Sequence, residues 1–259
     1  IKKYGKDRRT RIISADENAL DDVLAEPEDT SPVTLFFTKD GYFKRITPQS
    51  LRMSGEQKLK EGDEITQVIE SSCDKELLFF TNKQQVYKSR VADFGDSKAS
   101  VLGDYVASKL GFEDGENAVY MIETKDYSGF VVFVFDNGRI AKVPLNSYIT
   151  KTNRKKLINA YCEKYELHTV LYLKDDCDLE LRSTNNRMLI VNTASVPLKA
   201  TKNNGGIAVM TQKKGQRIYS VKAYENGAYE NEHRYRTKNL PAAGSIIQNT
   251  AGKQEKMDI

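Results

Sequence analysis

Lysine and arginine are concentrated in two stretches of the sequence that contain no acidic residue. Residues 137–162 include six basic residues and residues 183–224 include seven, whereas residues 163–182 between them carry six acids against three bases. Basic side chains neutralise phosphates and release counterions, which is the chemistry needed to hold a nucleic-acid backbone without reading its bases. If the fold gathers the two stretches on one side, a strongly positive face results on a chain whose net charge is only +4.

The main candidates for phosphate contact lie in two polar connectors, TKTNRKKLINAY at Thr150–Tyr161 and LKATKNNGG at Leu198–Gly206. In the second connector, Gly205 and Gly206 are expected to let the backbone approach a phosphate closely. Basic residues on hairpin strands and in a later turn add to the set. The candidates are Lys44, Arg45, Lys88, Arg90, Arg139, Lys142, Lys151, Arg154, Lys155, Lys156, Lys199, Lys202, Lys213 and Lys214. The alternative for each is an ordinary solvent-facing charge, and the two basic stretches would then be solvated loops.

Other kinds of chemistry find little support in the residues. The three cysteines lie far apart without Cys-x-x-Cys spacing, and the two histidines have no neighbouring ligand cluster, so no metal site is expected and a reducing, cytoplasmic environment is favoured. No phosphate-binding loop of the GxxxxGK[ST] type occurs, so no ATP site is expected. The adjacent acids Asp175 and Asp176 are interpreted as solvated charge. No apolar run of about 18 residues predicts a membrane span, and the basic N-terminus is not a secretory signal.

A repeat in the sequence indicates where in the fold these candidates lie. Four segments share an apolar run, a polar turn and a second run that contains basic residues, and they begin at Pro32, Lys75, Gly129 and Asp178. The turns are rich in Asp, Asn and Gly because hairpin turns need positive φ angles, which these residues tolerate. A further strand-like run follows each polar connector: Glu64–Glu70, Ala118–Glu123, Thr169–Lys174 and Arg217–Ala223.

Each unit therefore has about four strands, and a period of 40–50 residues predicts an all-β, propeller-like array of about four blades. The aromatics in the apolar runs are predicted to form blade core rather than to stack on bases; they are Phe36, Phe37, Phe79, Phe80, Phe133 and Phe135. We expect three regions: a linker with a short helix at residues 1–31 arriving from a missing N-terminal part, the array at 32–224 and a polar tail at 225–259.

Four motifs resemble those of the A subunits of DNA gyrase and topoisomerase IV, the type IIA topoisomerases. IKKYGKDRRTRI at Ile1–Ile12 is similar to the end of the helical region after the DNA-cleavage core. GYFKRI at Gly41–Ile46 and LLFFTNKQQVYKSRV at Leu77–Val91 resemble hairpins of the first two blades. NNGGIAVMTQKKGQRIYSV at Asn203–Val221 resembles a later connector. Together these motifs cover most of residues 1–221.

The resemblance implies a β-pinwheel, a disc in which neighbouring blades exchange strands and a basic rim binds and bends double-stranded DNA for strand passage. It implies a parent ATP-dependent enzyme, an A2B2 heterotetramer with an ATPase B subunit. The catalytic tyrosine, the Mg²⁺ site and the ATP site of that enzyme would lie outside this segment. The segment itself is then expected to be non-catalytic and to hold no cofactor.

The sequence departs from the gyrase pattern in two ways. Residues 52–64 read RMSGEQKLKEGDE, where gyrase carries a Gln-Arg-Arg-Gly-Gly-Lys-Gly box. Four repeat units are also fewer than the six blades of gyrase. Both departures favour a topoisomerase IV-like role over DNA supercoiling. The competing function classes are a propeller that binds a protein partner without DNA affinity, and a propeller enzyme such as a glycosidase, for which converging carboxylates are missing from the pattern.

Overall fold

The computed structural model describes residues 29–150, 154–229 and 231–247 of the chain. The predicted helix at 14–24, the motif at Ile1–Ile12, Lys151 and the residues after 247 lie outside these ranges. In chain order the strands of the described part are β1 (Pro32–Thr38), β2 (Tyr42–Ile46), β3 (Ile65–Ser72), β4 (Glu76–Thr81), β5 (Val86–Arg90), β6 (Asp104–Tyr105), β7 (Ala118–Thr124), β8 (Phe130–Phe135), β9 (Arg139–Pro144), β10 (Lys156–Leu157), β11 (Leu167–Leu173), β12 (Asp178–Ser183), β13 (Arg187–Asn192), β14 (Ile207–Ala208), β15 (Ile218–Ala223) and β16 (Ser245–Ile246).

These strands form four four-stranded antiparallel sheets arranged as the blades of a propeller, with the orders β3-β1-β2-β6, β10-β5-β4-β7, β11-β8-β9-β14 and β15-β12-β13-β16. Helical structure in the described ranges is limited to the short helices Pro48–Met53 and Val106–Leu110 and to single 3-10 turns. The all-β fold and the number of blades expected from the repeat are therefore confirmed.

The four hairpins place their turns where the sequence predicts them. Each turn contains a residue with positive φ, and these residues are Gly41, Gln84, Gly138 and Asn186. At Gly138 the conformation and the space both require glycine, because a Cβ atom there would lie 2.0 Å from the Met210 carbonyl oxygen.

Neighbouring blades exchange strands. Strand β6 follows the second hairpin in the chain but pairs with β2 of the first sheet, where Phe43 lies opposite Asp104. In the same way β10 pairs back onto β5 and β14 pairs back onto β9. The fourth sheet has no later hairpin to supply its last strand, so β16 pairs with β13. This exchange is the arrangement that the resemblance implied.

The strands β3, β7, β11 and β15 are the inner strands of the disc, because they contact one another across blades. The Gln67 side chain in β3 exchanges two hydrogen bonds of 2.8 Å with the Met121 backbone in β7. The Tyr172 amide in β11 donates to the Tyr120 hydroxyl in β7 at 3.2 Å. Strands β6, β10, β14 and β16 lie at the opposite edge of each sheet, and we call them the outer strands.

Apolar side chains alternate between the two faces of each blade and form three clusters between consecutive blades. Leu35 and Phe37 of blade 1 pack with Leu77 and Phe79 of blade 2. The alternate residues Leu78 and Phe80 pack with Val131 and Phe133 of blade 3, and Val132 and Val134 pack with Leu179 and Leu181 of blade 4. Burial of one such side chain stabilises the fold by about 1.5–3 kcal/mol. The aromatics predicted to be core are all buried, as expected.

The two ends of the array differ from the blade junctions. No hydrophobic cluster of the described residues joins blade 4 to blade 1. The free face of blade 4 is instead covered by Tyr224, Tyr229 and Tyr235, which pack on Met188 and Ile190. The boundary expected after Tyr224 is therefore too early: residues 225–229 and 231–247 cap the fourth blade and supply β16, although their polar composition predicted a tail.

Candidate nucleic-acid interface

A polar connector is held against the outer edge of each blade at the same point of the hairpin. The Ser97 amide donates to the Arg45 carbonyl at 2.7 Å, and the Lys199 amide donates to the Lys142 carbonyl at 3.0 Å. Blade 2 uses a bond from Lys88 to the Lys155 carbonyl, and blade 4 uses a bond from Ile190 to the Tyr235 carbonyl. We call the edge formed by these connectors and the outer strands the rim.

The rim connectors present exposed cations that form no ion pair within the described ranges. These cations are Lys98 beside blade 1, Arg154 and Lys155 beside blade 2, Lys199 beside blade 3 and Lys238 beside blade 4. Three of them were candidates from the sequence. The structure adds Lys98 and Lys238, which lie two residues after the Asp96 and Arg236 bridges to the hairpins, close to the place that Lys199 has after Leu198. Position within the repeat, rather than local charge, is the signal that would have found them.

Cations from separate connectors approach each other between blades 2 and 3. The ammonium group of Lys202 lies 5.6 Å from the centre of the Tyr148 ring, and the side chain is half-buried. Burial lowers the pKa of Lys202, and the positive charge of Arg154 lowers it further. Two like charges are thus held close together at the rim, and a bound phosphate would relieve their repulsion.

Three of the predicted phosphate contacts occupy one equivalent position of the hairpin and are structural. Arg45, Lys88 and Lys142 lie opposite Leu35, Leu78 and Val132 in their sheets. Their side chains are at most 13% exposed, and each is paired with a carboxylate. The partners are Asp96 at 2.8 Å, Glu76 at 3.4 Å and Asp176 at 2.5 Å, respectively.

These three cations connect each blade to the next one. Arg45 donates to the Val91 carbonyl of blade 2 and Lys142 to the Thr193 carbonyl of blade 4, both at 3.3 Å. The Lys88 ammonium lies 5.0 Å from the centre of the Tyr127 ring at blade 3. Their low exposure and their carboxylate partners favour neither the predicted phosphate contact nor the alternative of a solvated strand charge.

Asp176, the partner of Lys142, was interpreted from the sequence as solvated charge; its side chain is 38% exposed, but it is also bonded within the protein. Burial alone would raise the pKa of its carboxyl group, but hydrogen bonds from Lys142 and Thr193 outweigh the burial and lower the pKa. The carboxylate therefore has a structural function between blades 3 and 4. Within the described residues, no group of three or more His, Cys, Asp or Glu residues could hold a metal ion.

Lys44, Arg139 and Lys156 are also engaged within the protein. Lys44 is 1% exposed, and its ammonium donates to the carbonyls of Lys58 and Ala99, so it is inaccessible to phosphate. Arg139 donates to the Gly205 and Gly206 carbonyls at 2.8 and 2.6 Å and thereby fixes the rim connector of blade 3. Lys156 pairs with Glu113 at 2.5 Å, and this hydrogen bond raises the pKa of Lys156.

The two glycines of the blade 3 connector are required by packing rather than by a phosphate. Gly206 has a φ of +60°, and a Cβ atom there would lie 1.9 Å from the Ile140 carbonyl oxygen. At Gly205 a Cβ atom would lie 2.8 Å from the Tyr165 ring. Gly206 therefore allows the connector to lie directly on β9, and Gly205 allows it to lie close to the Tyr165 ring.

The remaining candidates are exposed but do not share one location. Arg90 ends β5, while Lys213 and Lys214 lie in a turn that precedes the inner strand β15. The structure thus brings Arg154, Lys155, Lys199 and Lys202 together at the rim and places the other exposed candidates elsewhere. In the described part of the chain, no helix has the length and apolar character needed to cross a membrane.

Comparisons with known proteins identify sequences that are similar to this chain. No protein-family model matches the sequence. The chain is 29% identical over 158 residues to the DNA gyrase A subunit of Streptomyces coelicolor, covering 57% of this chain and 18% of that protein. It is 26% identical over 239 residues to the DNA gyrase A subunit of Mycobacterium tuberculosis, covering 88% of this chain and 28% of the relative. The chain therefore spans less than a third of the length of these relatives.

Solved structures give the same result for the fold. The C-terminal domain of DNA topoisomerase IV aligns with a TM-score of 0.66 and 25% identity, covering 76% of this chain and 62% of that one. The Escherichia coli ParC C-terminal domain aligns with a TM-score of 0.63 and 14% identity, covering 85% and 96%. These likenesses confirm the resemblance found in the motifs: the chain is similar in sequence to DNA gyrase A subunits, and its fold is similar to the C-terminal domain of DNA topoisomerase IV.

Proposed function

We propose that this domain binds double-stranded DNA along its rim and bends it, and that it presents the DNA for strand passage by a bacterial type II topoisomerase. The observation that carries the proposal is that the rim connector beside each of the four blades presents an exposed cation with no ion pair among the described residues. Phosphates repeat along a duplex, so cations repeated along a convex edge bind it without reading its sequence. Contact with successive blades requires the duplex to curve.

The parent protein in this proposal is the A chain of an ATP-dependent topoisomerase, which forms an A2B2 heterotetramer with an ATPase B chain in the cytoplasm. Its cleavage tyrosine, Mg²⁺ and ATP would belong to other segments, and this domain would be non-catalytic. The absence of the Gly-Gly box from residues 52–64 supports a topoisomerase IV-like role over a gyrase-like one. The alternative is a propeller that binds a protein partner and has no affinity for DNA.

The test is a titration of labelled duplex DNA at several salt concentrations with the variant Arg154→Glu/Lys155→Glu/Lys199→Glu. Each lost phosphate contact should lower the slope of log K against log salt by about 0.9, so the triple variant should lose about 2–3 in slope and bind unrelated duplexes equally poorly. The single change Lys199→Glu should lower the slope by about 0.9. Lys174→Glu is its control, because Lys174 is exposed but lies outside the rim connectors. Wild-type affinity in the triple variant would favour the protein-interaction alternative.

A further inference from the structure

Three turns occupy equivalent places in consecutive blades, and we call them the side turns. They are residues 113–116, 163–166 and 213–216, each of which follows an outer strand and precedes the next inner strand. Each packs beside a hairpin turn through the residue at or after its end: Asn82 donates to the Asn117 carbonyl, Asp136 to the Glu166 carbonyl and Thr184 to the Arg217 carbonyl. Their position at the same end of every blade makes them directly comparable.

The charge of the side turns changes sign along the array. The first reads Glu-Asp-Gly-Glu, the second Glu-Lys-Tyr-Glu and the third Lys-Lys-Gly-Gln, so their formal charges are −3, −1 and +2. The first and third turns share a backbone bond, from Glu116 to Glu113 and from Gln216 to Lys213. The acids of the first turn serve the fold, because Glu116 is buried and accepts hydrogen bonds from Thr81 and Tyr87, and Glu113 pairs with Lys156. No such contact within the described ranges accounts for the bases of the third turn, which therefore call for a functional explanation.

The third side turn carries exposed cations and follows the rim connector of blade 3 in the chain. Lys213, Lys214 and Arg217 are exposed, and none of them forms an ion pair within the described ranges. The neighbouring Arg187 donates to the Gly244 carbonyl at 2.7 Å and pairs with Ile246 of the outer strand β16. Along the chain, the turn begins five residues after the end of the outer strand β14. A positive surface thus continues from the rim between blades 3 and 4 onto the side of the disc.

We propose that duplex DNA leaves the rim at blade 4 across the third side turn, where Lys213, Lys214 and Arg217 bind its phosphates. This inference rests on the proposed function and adds to it the path that the DNA takes at blade 4. The first side turn reads Glu-Asp-Gly-Glu and offers no cation to a phosphate at the corresponding place. The DNA therefore stays on the rim at the first blades and leaves it toward the side turns at the last blade.

The test compares Lys214→Glu with Lys164→Glu, which places the same charge change at the same turn position one blade earlier. Both side chains are exposed, so circular dichroism should show both variants folded. Two duplexes are titrated: one of about 15 base pairs, roughly 50 Å long, and one of about 40 base pairs, roughly 140 Å long, at 3.4 Å per base pair. The short duplex can be held by the cations between blades 2 and 3, whereas the long one must continue past them.

Lys214→Glu should weaken binding of the long duplex several-fold, lower its salt slope by about 1, and leave the short duplex almost unaffected. Lys164→Glu should change neither. Equal losses for the two variants, or wild-type binding of the long duplex by Lys214→Glu, would overturn the inference. The basic turn would then be explained better as a binding site for an acidic protein surface. The rim variant Arg154→Glu/Lys155→Glu/Lys199→Glu separates the two proposals, since it should lose both duplexes whichever way Lys214→Glu behaves.

Discussion

Single residues of the same charge have opposite functions in this domain, and the difference lies in the carboxylates around them. Lys142 and Lys199 are both basic residues of the acid-free stretches, yet Lys142 is 5% exposed and paired, whereas Lys199 is exposed and unpaired. Asp176, the partner of Lys142, lies 34 residues further along the chain. The sequence shows where the cations are, but only the fold shows which of them a distant acid compensates.

Exchanging each of these lysines for methionine should separate stability from binding. Lys142→Met leaves Asp176 and the Thr193 carbonyl without their partner, so the free energy of unfolding should fall by about 1–3 kcal/mol. DNA affinity should stay at the wild-type level in that variant. Lys199→Met should show the converse: an unchanged urea midpoint and a weaker, less salt-dependent complex with duplex DNA. A Lys142→Met protein that binds DNA poorly but unfolds like the wild type would contradict this assignment.

Among the secondary-structure elements, the long strands were predictable from sequence and the outer strands were not. The inner strand β7 was predicted at residues 118–123 and runs from 118 to 124, because apolar β-branched and aromatic residues mark it. The outer strands β6, β10, β14 and β16 are two residues long and lie within polar connectors. Two residues carry no hydrophobic period, so the residue pattern does not show the exchange between blades, which the sequence indicated only through the family resemblance.

The cap of blade 4 was not predicted because its apolar residues are scattered through a polar segment. Tyr235 is 5% exposed and packs with Met188, Ile190 and Tyr224 in a segment whose composition is polar overall. Tyr235→Ala should destabilise the domain by about 3–5 kcal/mol, as large-to-small changes of buried aromatics do, and should speed hydrogen exchange first in β13. Tyr219→Ala is the matched control, since Tyr219 is 49% exposed. Equal effects of the two changes would show that the tyrosine cluster is not a cap.

At the scale of the whole molecule, four similar blades carry different charges around one disc. The net charge of +4 conceals this distribution, because the structural cations are neutralised by acids while the rim cations are not. Burial, and then the charge of Arg154, lower the pKa of Lys202, so cations from the connectors of blades 2 and 3 act on each other. Lys98 and Lys238 mark the two ends of the array. A straight duplex touches a convex edge only near its middle, so the end cations act only on curved DNA.

This geometry predicts that affinity and bending depend on different blades. Lys98→Glu/Lys238→Glu should reduce the rate at which fragments of about 150 base pairs, near the persistence length of DNA, are ligated into circles at saturating protein. The affinity of the same protein for a duplex of about 15 base pairs should change little, because the cations of blades 2 and 3 are intact. Lys155→Glu/Lys199→Glu should weaken binding of that short duplex strongly. If ring closure by the Lys98→Glu/Lys238→Glu protein matched the wild type at saturation, the duplex would not follow the rim to both ends, and the contact would be confined to the two central blades.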